Sequence, residues 1–276
     1  MGEIRLLFHY PKLSALDLGV VRSPGPGLGN LLFPITRALI GEKTLGGTFV
    51  HPTIRQFKVG TYLRAEKDKR TYGDVIRPRS RSEWSTWVQA IRAPKLEEDA
   101  RPSGARSTIC YSGLRRQFHD IWQHGSLIGD WLNRNAVRVE APPVAYDIAL
   151  HVRQGDFRPV STSGGGRSIR QPPDWYRRAI AVASEMLQTR GAQIRLFTDG
   201  DVRQVASELA LEGLTFDESP NALVAIKNMT QARFIVTSRS SFSMWAAFLS
   251  GAPAIWDKEM DLGEVFLPRN GLDHFL

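Results

Sequence analysis

The chain has 276 residues, 42% of them apolar and 23% charged, with a formal net charge of +8. These proportions are those of a folded globular protein, and no apolar run reaches the roughly 18 residues that a membrane-spanning helix needs. Cys110 is the single cysteine, which excludes a disulfide within the chain and a cysteine-based zinc site. The apolar stretch after Met1 is too short for a secretory signal, so a cytoplasmic location is the expectation. The charge is uneven. Residues 1–140 hold 22 Lys and Arg against 13 Asp and Glu, whereas residues 141–276 hold 14 against 15. An anionic partner for the first half follows from this, either phosphate, nucleic acid or a membrane surface. An exposed basic face that only keeps the domain soluble accounts for the charge equally well.

Taken in chain order, residues 4–8 and 17–21 read as short strands. Pro24 to Asn30 is a glycine-rich turn leading into a helix from Leu31 to about Ile40, with Asn30 as its N-cap and Pro34 in the first turn. Strand, glycine loop and helix start together make an anion site. The spacing Gly25-x-Gly27-x-Gly29 is neither a dinucleotide fingerprint nor a P-loop, and a tight turn explains it as well. Thr48 to His51 reads as the next strand. Residues 55–106 give weak signals: a basic segment, a short helix carrying Trp84 and Trp87, and the acidic cluster Glu97, Glu98 and Asp99. Phe118 to Leu132 reads as helix, with His119 and His124 as ordinary helix residues. Ala141 to Val144 is the expected linker, which divides the chain into domains 1–144 and 145–276.

The second half alternates strand and helix. Strands are expected at 147–152, 193–198, 214–216, 234–237 and 252–256. Helices are expected after Asp174, which could cap its own, after Asp201, from Asn221 to Gln231, and from Met244 to a stop at Gly251. A long loop containing Gly164, Gly165 and Gly166 follows the first of these strands. This alternation predicts a doubly wound parallel sheet. In such sheets ligands bind at the carboxyl ends of the strands, and three of those ends are polar. They are His151-Val-Arg-Gln-Gly-Asp156, Phe197-Thr-Asp-Gly-Asp201 and Ser238-Arg-Ser-Ser-Phe-Ser243. An arginine such as Arg153 can give phosphate oxygens two charge-assisted hydrogen bonds. Pairing of Arg153 with Asp156 at a strand end is the plainer alternative.

With these three stretches and Gly27-Leu-Gly-Asn30, all in the expected order, the chain resembles the bacterial α-1,2-fucosyltransferases and their relatives. The family pattern His-x-Arg-Arg-Gly-Asp-Tyr is similar to 151–157, and Ser-Ser-Phe-Ser-x-Trp-Ala-Ala is reproduced at 240–247. Residues 41–140 give almost no match. The resemblance implies a GT-B-like α/β fold, with two Rossmann-like domains facing across a cleft. It also implies transfer of a sugar from a nucleotide donor, GDP-fucose in the named enzymes, to an oligosaccharide or lipid-linked glycan acceptor, without a metal or other cofactor. Arg153 would contact the donor diphosphate. For a general base, Asp156 is within the right loop, and Asp120 or Asp130 could reach in from the first half. His151, Thr198, Asp199, Ser240, Ser241, Phe242 and Ser243 would bind the donor, joined by Gly27, Gly29 and Asn30. The second arginine of the pattern is Gln154 here. Asp199-Gly-Asp201, read in isolation, is the Asp-x-Asp that holds a divalent metal in another class of glycosyltransferases. The basic first half adds peripheral contact with an anionic membrane as an expectation. A rival reading is a non-catalytic nucleic-acid or polyanion binder. No RNA-recognition, zinc-finger or helix-turn-helix pattern supports it, so nucleic acid is not an expected partner.

Overall fold

The computed structural model describes residues 6–57, 71–102, 104–137, 146–154, 170–211 and 213–276. The chain divides into two compact units, residues 1–137 and 138–276. The linker Ala141–Val144, the boundary after residue 144, the Gly164–Gly166 loop and Asp156 all lie outside the described residues.

The first unit is a four-stranded sheet in the order β2-β1-β4-β3, with every pairing parallel. β1 is Leu6–Pro11, β2 Thr48–Phe49, β3 Lys95–Glu97 and β4 Arg106–Tyr111. Helix α1, Leu28–Leu45, packs on β1 and buries Leu31, Leu32, Phe33, Ile35, Ala38 and Leu39. It is longer than the sequence suggested and starts earlier. Gly27 is its N-cap and makes no side-chain capping bond, so Asn30 lies inside the first turn. Pro34 is also inside the helix, where it has no N–H to give the carbonyl four residues back. A side chain at Gly41 would overlap the Tyr111 hydroxyl and come within 2.6 Å of His9 Nδ1, so only glycine lets the helix lie this close to the sheet. Those two groups are themselves bonded at 2.8 Å. Helix α2, Arg81–Arg92, begins with a capping box between Ser80 and Glu83. Two 3₁₀ turns, Gln117–Asp120 and Trp122–His124, lead into α3, Gly125–Asn135, where one continuous helix had been expected.

Residues 17–21 do not form a strand. Asp17 makes an isolated antiparallel bridge with Arg22, and Gly19 between them has φ +86°. The result is a tight turn, and it is glycine that permits it.

The second unit is a six-stranded parallel sheet in the order β10-β9-β8-β5-β6-β7. Its strands are β5 Ile148–Val152, β6 Ile194–Thr198, β7 Leu214–Phe216, β8 Phe234–Val236, β9 Ala254–Trp256 and β10 Asp273–Phe275. All but β10 fall within two residues of the expected positions. The helices are α4 Pro173–Met186, α5 Val202–Leu209, α6 Ala222–Met229 and α7 Ser241–Leu249. α4 lays Trp175, Tyr176, Ala179, Ile180 and Ala183 into the core with the apolar residues of β5 and β6. Each large side chain buried there contributes about 1.5–3 kcal/mol. Asp174 sits in the first turn of α4 rather than at its cap, which is Pro172. α7 starts at Ser241 and ends at an extended Ser250, before Gly251.

Counted from β5 outward, the second sheet runs 3-2-1-4-5-6. The chain winds one way through β6 and β7, then returns to the other side of β5 as β8. The topological switch therefore lies between β5 and β8. In the first unit the same logic places it between β1 and β4. Two Rossmann-like α/β units of parallel sheet and flanking helices make the GT-B-like composition.

Candidate functional site

At the β5–β8 switch the two strands are tied by a side-chain bond. His151 is buried near the end of β5, and its Nδ1 lies 2.7 Å from Ser238 Oγ, just past β8. Its ring stacks on Phe242 of α7, with centroids 5.2 Å apart and planes 28° apart. Burial holds the imidazole well below its usual pKa. Asp199 pulls that value up and Arg153 pushes it down. His151 is therefore neutral near pH 7, and its burial disfavours an ion there.

Arg153 follows β5 directly. Its Nη1 lies 2.6 Å from Oδ2 of Asp199, which follows β6. The other carboxylate oxygen of Asp199 accepts the backbone N–H of Gln154 at 2.8 Å. One carboxylate thus fixes both the guanidinium and the backbone leaving β5. Arg170 Nε donates to the Gln154 carbonyl at 3.1 Å. The Gln154 side chain covers Gly200, where an added Cβ would lie 2.7 Å from its Cγ. Thr198 Oγ1 accepts the Gly200 N–H at 3.1 Å. Asp201 caps α5 by accepting from Gln204 N at 2.9 Å.

The serine turn is built for shape. Ser240 is the N-cap of α7, its hydroxyl accepting from Phe242 N at 3.3 Å. Ser243 is fully buried, and its hydroxyl accepts from Ser238 N and lies 3.2 Å from the carbonyls of Ser238 and Ser240. Ser241, the first residue of α7, is half-buried. Arg239, in the same turn, pairs with Asp257 at the end of β9 (Nε to Oδ2, 2.6 Å) and with Glu259 at 2.9 Å. Tyr176 is buried and donates to Gln171 Oε1 at 3.0 Å. Its phenol is pushed above the usual range, first by burial and then by the Asp257 carboxylate.

The switch of the first unit is built differently. A depression of about 340 Å³ lies over the ends of β1 and β4 and the start of α1, lined in part by Lys12, Ser14, Pro26, Asn30 and Gly113. Gly27 is exposed, Gly29 buried and Asn30 half-buried. The Leu28 N–H is taken by the Tyr72 hydroxyl at 3.1 Å.

No protein-family model matches the chain, and no curated protein matches its sequence. It is similar in structure to the fucosyltransferase NodZ from Bradyrhizobium, with 12% identity, 90% of this chain and 94% of that one covered, and a TM-score of 0.48. It is likewise similar to POFUT1 in complex with GDP-fucose, with 11% identity, coverage of 92% and 97%, and a TM-score of 0.48.

Of the residues singled out in the sequence, His151, Arg153, Thr198, Asp199, Ser240, Ser241, Phe242 and Ser243 all occur at or beside strand ends on the carboxyl edge of the second sheet. Gly27, Gly29 and Asn30 belong to the other unit. Arg153 pairs with Asp199; Asp156, the partner of the plainer alternative, lies outside the described residues. Ser243 is fully buried and bonded within its own turn. Arg239 and Asp257 were missed. Their signal was positional: Asp257 directly follows the last apolar run, where a parallel sheet presents its ligand-facing loops.

Proposed function

We propose that this protein is a glycosyltransferase that takes its nucleotide-sugar donor, GDP-fucose, at the carboxyl edge of the β5–β8 pair. The observation that carries the reading is the ion pair of Arg153 with Asp199, set at the switch point of a 3-2-1-4-5-6 sheet. In sugar transfer the bond from the anomeric carbon to a diphosphate oxygen breaks, and the diphosphate leaves with the electron pair. An acceptor hydroxyl forms the new bond and gives its proton to a base. Arg153 is the group that balances charge on the departing diphosphate. Asp199 holds it in place beforehand, which lowers the cost of ordering it on binding. The capped start of α7 adds its dipole. Asp156 is the proposed base, and an oligosaccharide or lipid-linked glycan the proposed acceptor.

We read the reaction as metal-independent. Asp199 is engaged by Arg153 and the Gln154 N–H, and Asp201 by the cap of α5, so neither carboxylate of the Asp-x-Asp is set aside for a cation. The test is a thermal-shift series with GDP-, UDP-, CMP- and dTDP-sugars, followed by a transfer assay in EDTA. GDP-fucose should raise the melting temperature most, because it binds only the native state, and transfer should survive the chelator. No shift with any nucleotide sugar would overturn the reading. Activity lost in EDTA and restored by Mn²⁺ or Mg²⁺ would overturn its metal-free form.

A further inference from the structure

The turn between β1 and α1 exposes three large aliphatic side chains in alternation: Leu16 at 53%, Leu18 at 56% and Val20 at 63%. Single exposed leucines are ordinary, but several on one turn form a patch. The intervening residues do the structural work. Asp17 accepts from the Tyr10 hydroxyl at 2.8 Å and from Gly19 N at 2.7 Å. The Gly19 carbonyl accepts from Arg79 Nη1 at 2.5 Å and Thr53 Oγ1 at 2.9 Å. The Arg79 guanidinium lies 5.3 Å from the ring centres of both Trp84 and Trp87. A Cβ at Gly19 would come within 2.6 Å of Trp84. Across the base, Ser23 N donates to Leu16 O at 2.8 Å and Leu18 N to Val21 O at 3.0 Å. The turn is held at both ends and from below, with its apolar side chains outward.

We propose that this turn is a membrane-contact tip that sets Leu16, Leu18 and Val20 into the interface of an anionic bilayer. Charge selects the occupant. Residues 1–140 carry 22 Lys and Arg against 13 Asp and Glu, and Lys12 and Arg55, beside the turn, are exposed. Two copies of so basic a unit would repel when brought tip to tip, whereas an anionic lipid surface attracts it. Exposed aliphatic side chains with nearby cations are the pattern of interfacial anchoring, in which apolar insertion and electrostatic attraction add.

The experiment is co-sedimentation of the full chain with vesicles of phosphatidylcholine alone and of phosphatidylcholine mixed with phosphatidylglycerol. Wild type should bind the anionic vesicles more strongly, and added salt should weaken that binding. The variant Leu16→Ser/Leu18→Ser/Val20→Ser should bind anionic vesicles about tenfold more weakly or worse, with an unchanged melting temperature. If that variant does not fold, Leu18→Gln alone carries the same comparison with a smaller loss. Wild type that ignores both vesicles would overturn the proposal. A triple variant that binds like wild type would assign all binding to the basic face and also overturn it. Wild type that self-associates through the turn without binding vesicles would replace the bilayer with a second copy.

Discussion

At the carboxyl edge of the second sheet, charge is carried by side chains, with Arg153 against Asp199 and Arg239 against Asp257 and a serine capping α7. At the same edge of the first sheet, α1 starts from a glycine without a side-chain cap, over an open depression. The two sheets share their winding logic, yet the arginine of the second switch point follows β5 itself, whereas in the first unit the buried Arg37 comes from α1, pairs with Glu98 at 2.8 Å and holds the carbonyls of Ser112 and Gly113 after β4. Side-chain charge can be aimed and held by a counter-ion, which suits a group that must meet developing negative charge. Backbone N–H groups at a helix start take an anion of many shapes. The winding places a ligand at a switch point, and the residues there decide how it is gripped.

The sharpest way to break this contrast is Arg153→Ala. If the second unit grips the diphosphate through that side chain, transfer should fall by about 10²–10³, or about 2.7–4 kcal/mol in the barrier, by analogy with removing an oxyanion donor. Arg153→Lys should recover little, because an ammonium lacks the planar fork. Steady-state turnover with a matched melting temperature decides it, and wild-type rates in the alanine variant would remove the second unit's claim.

A second test sets the units against each other in acid. Burial depresses the pKa values of His9 and His51 in the first unit and His151 in the second, with His51 pushed down to about 4. A histidine whose folded pKa lies below its unfolded value of about 6.5 favours the native state fully above that pH. Its contribution is lost as the pH falls from there toward the folded value, at about 1.4 kcal/mol per pH unit for each group. The first unit, with two such histidines against one, should therefore lose more stability than the second below about pH 6.5. Hydrogen exchange of segments from each unit, compared between neutral pH and about pH 5, reads this directly. Equal losses would mean that these histidines do not govern the acid response.

Two smaller effects sharpen the picture. Gly27 has φ −65°, and a Cβ there would meet only the Tyr72 hydroxyl, at 3.9 Å. Gly27→Asp should thus fold and gain a few tenths of a kcal/mol by capping α1. If the α1 start contacts the donor, the added carboxylate should also weaken nucleotide binding in a titration, while unchanged binding would confine the donor to the second unit. Asp201→Asn should be the mildest change, within about 0.5 kcal/mol, because asparagine caps as well as aspartate. A larger loss of activity than of stability would give Asp201 a role beyond its cap.

The second unit was readable in the sequence because its inner strands are buried on both faces. Ile148 to Val152 is buried throughout, so the strand reads as an unbroken apolar run. The first unit hid its own central strand. β4 carries Ser107 and Thr108, both buried, with the Thr108 hydroxyl donating to the Ala90 carbonyl at 2.8 Å. A polar side chain satisfied inside the core leaves no hydrophobic pattern to find. The glycine turn misled in another way: Asn30 had the chemistry of a cap, but Gly27 already supplied the geometry. At the site, the strand-end positions of His151 and Arg153 followed from the motif. The partner of Arg153 did not, because Asp199 lies one strand over and only the pairing of β5 with β6 brings it near.

β1 lies between β2, only two residues long, and β4. Its full length is matched only by β4, from Leu6 opposite Arg106 to Pro11 opposite Tyr111. During synthesis the first strand of the chain must therefore wait for nearly the whole unit to emerge before it is properly paired. Contacts of such high sequence separation are slow to form, and until then an apolar strand stays open to other chains. A chain stopped just before Arg106 would keep α1, α2 and the two-residue pairing of β1 with β2, but lose the strand that matches β1 along its length. The yield of soluble protein should change abruptly, not gradually, as the stop is moved past Tyr111.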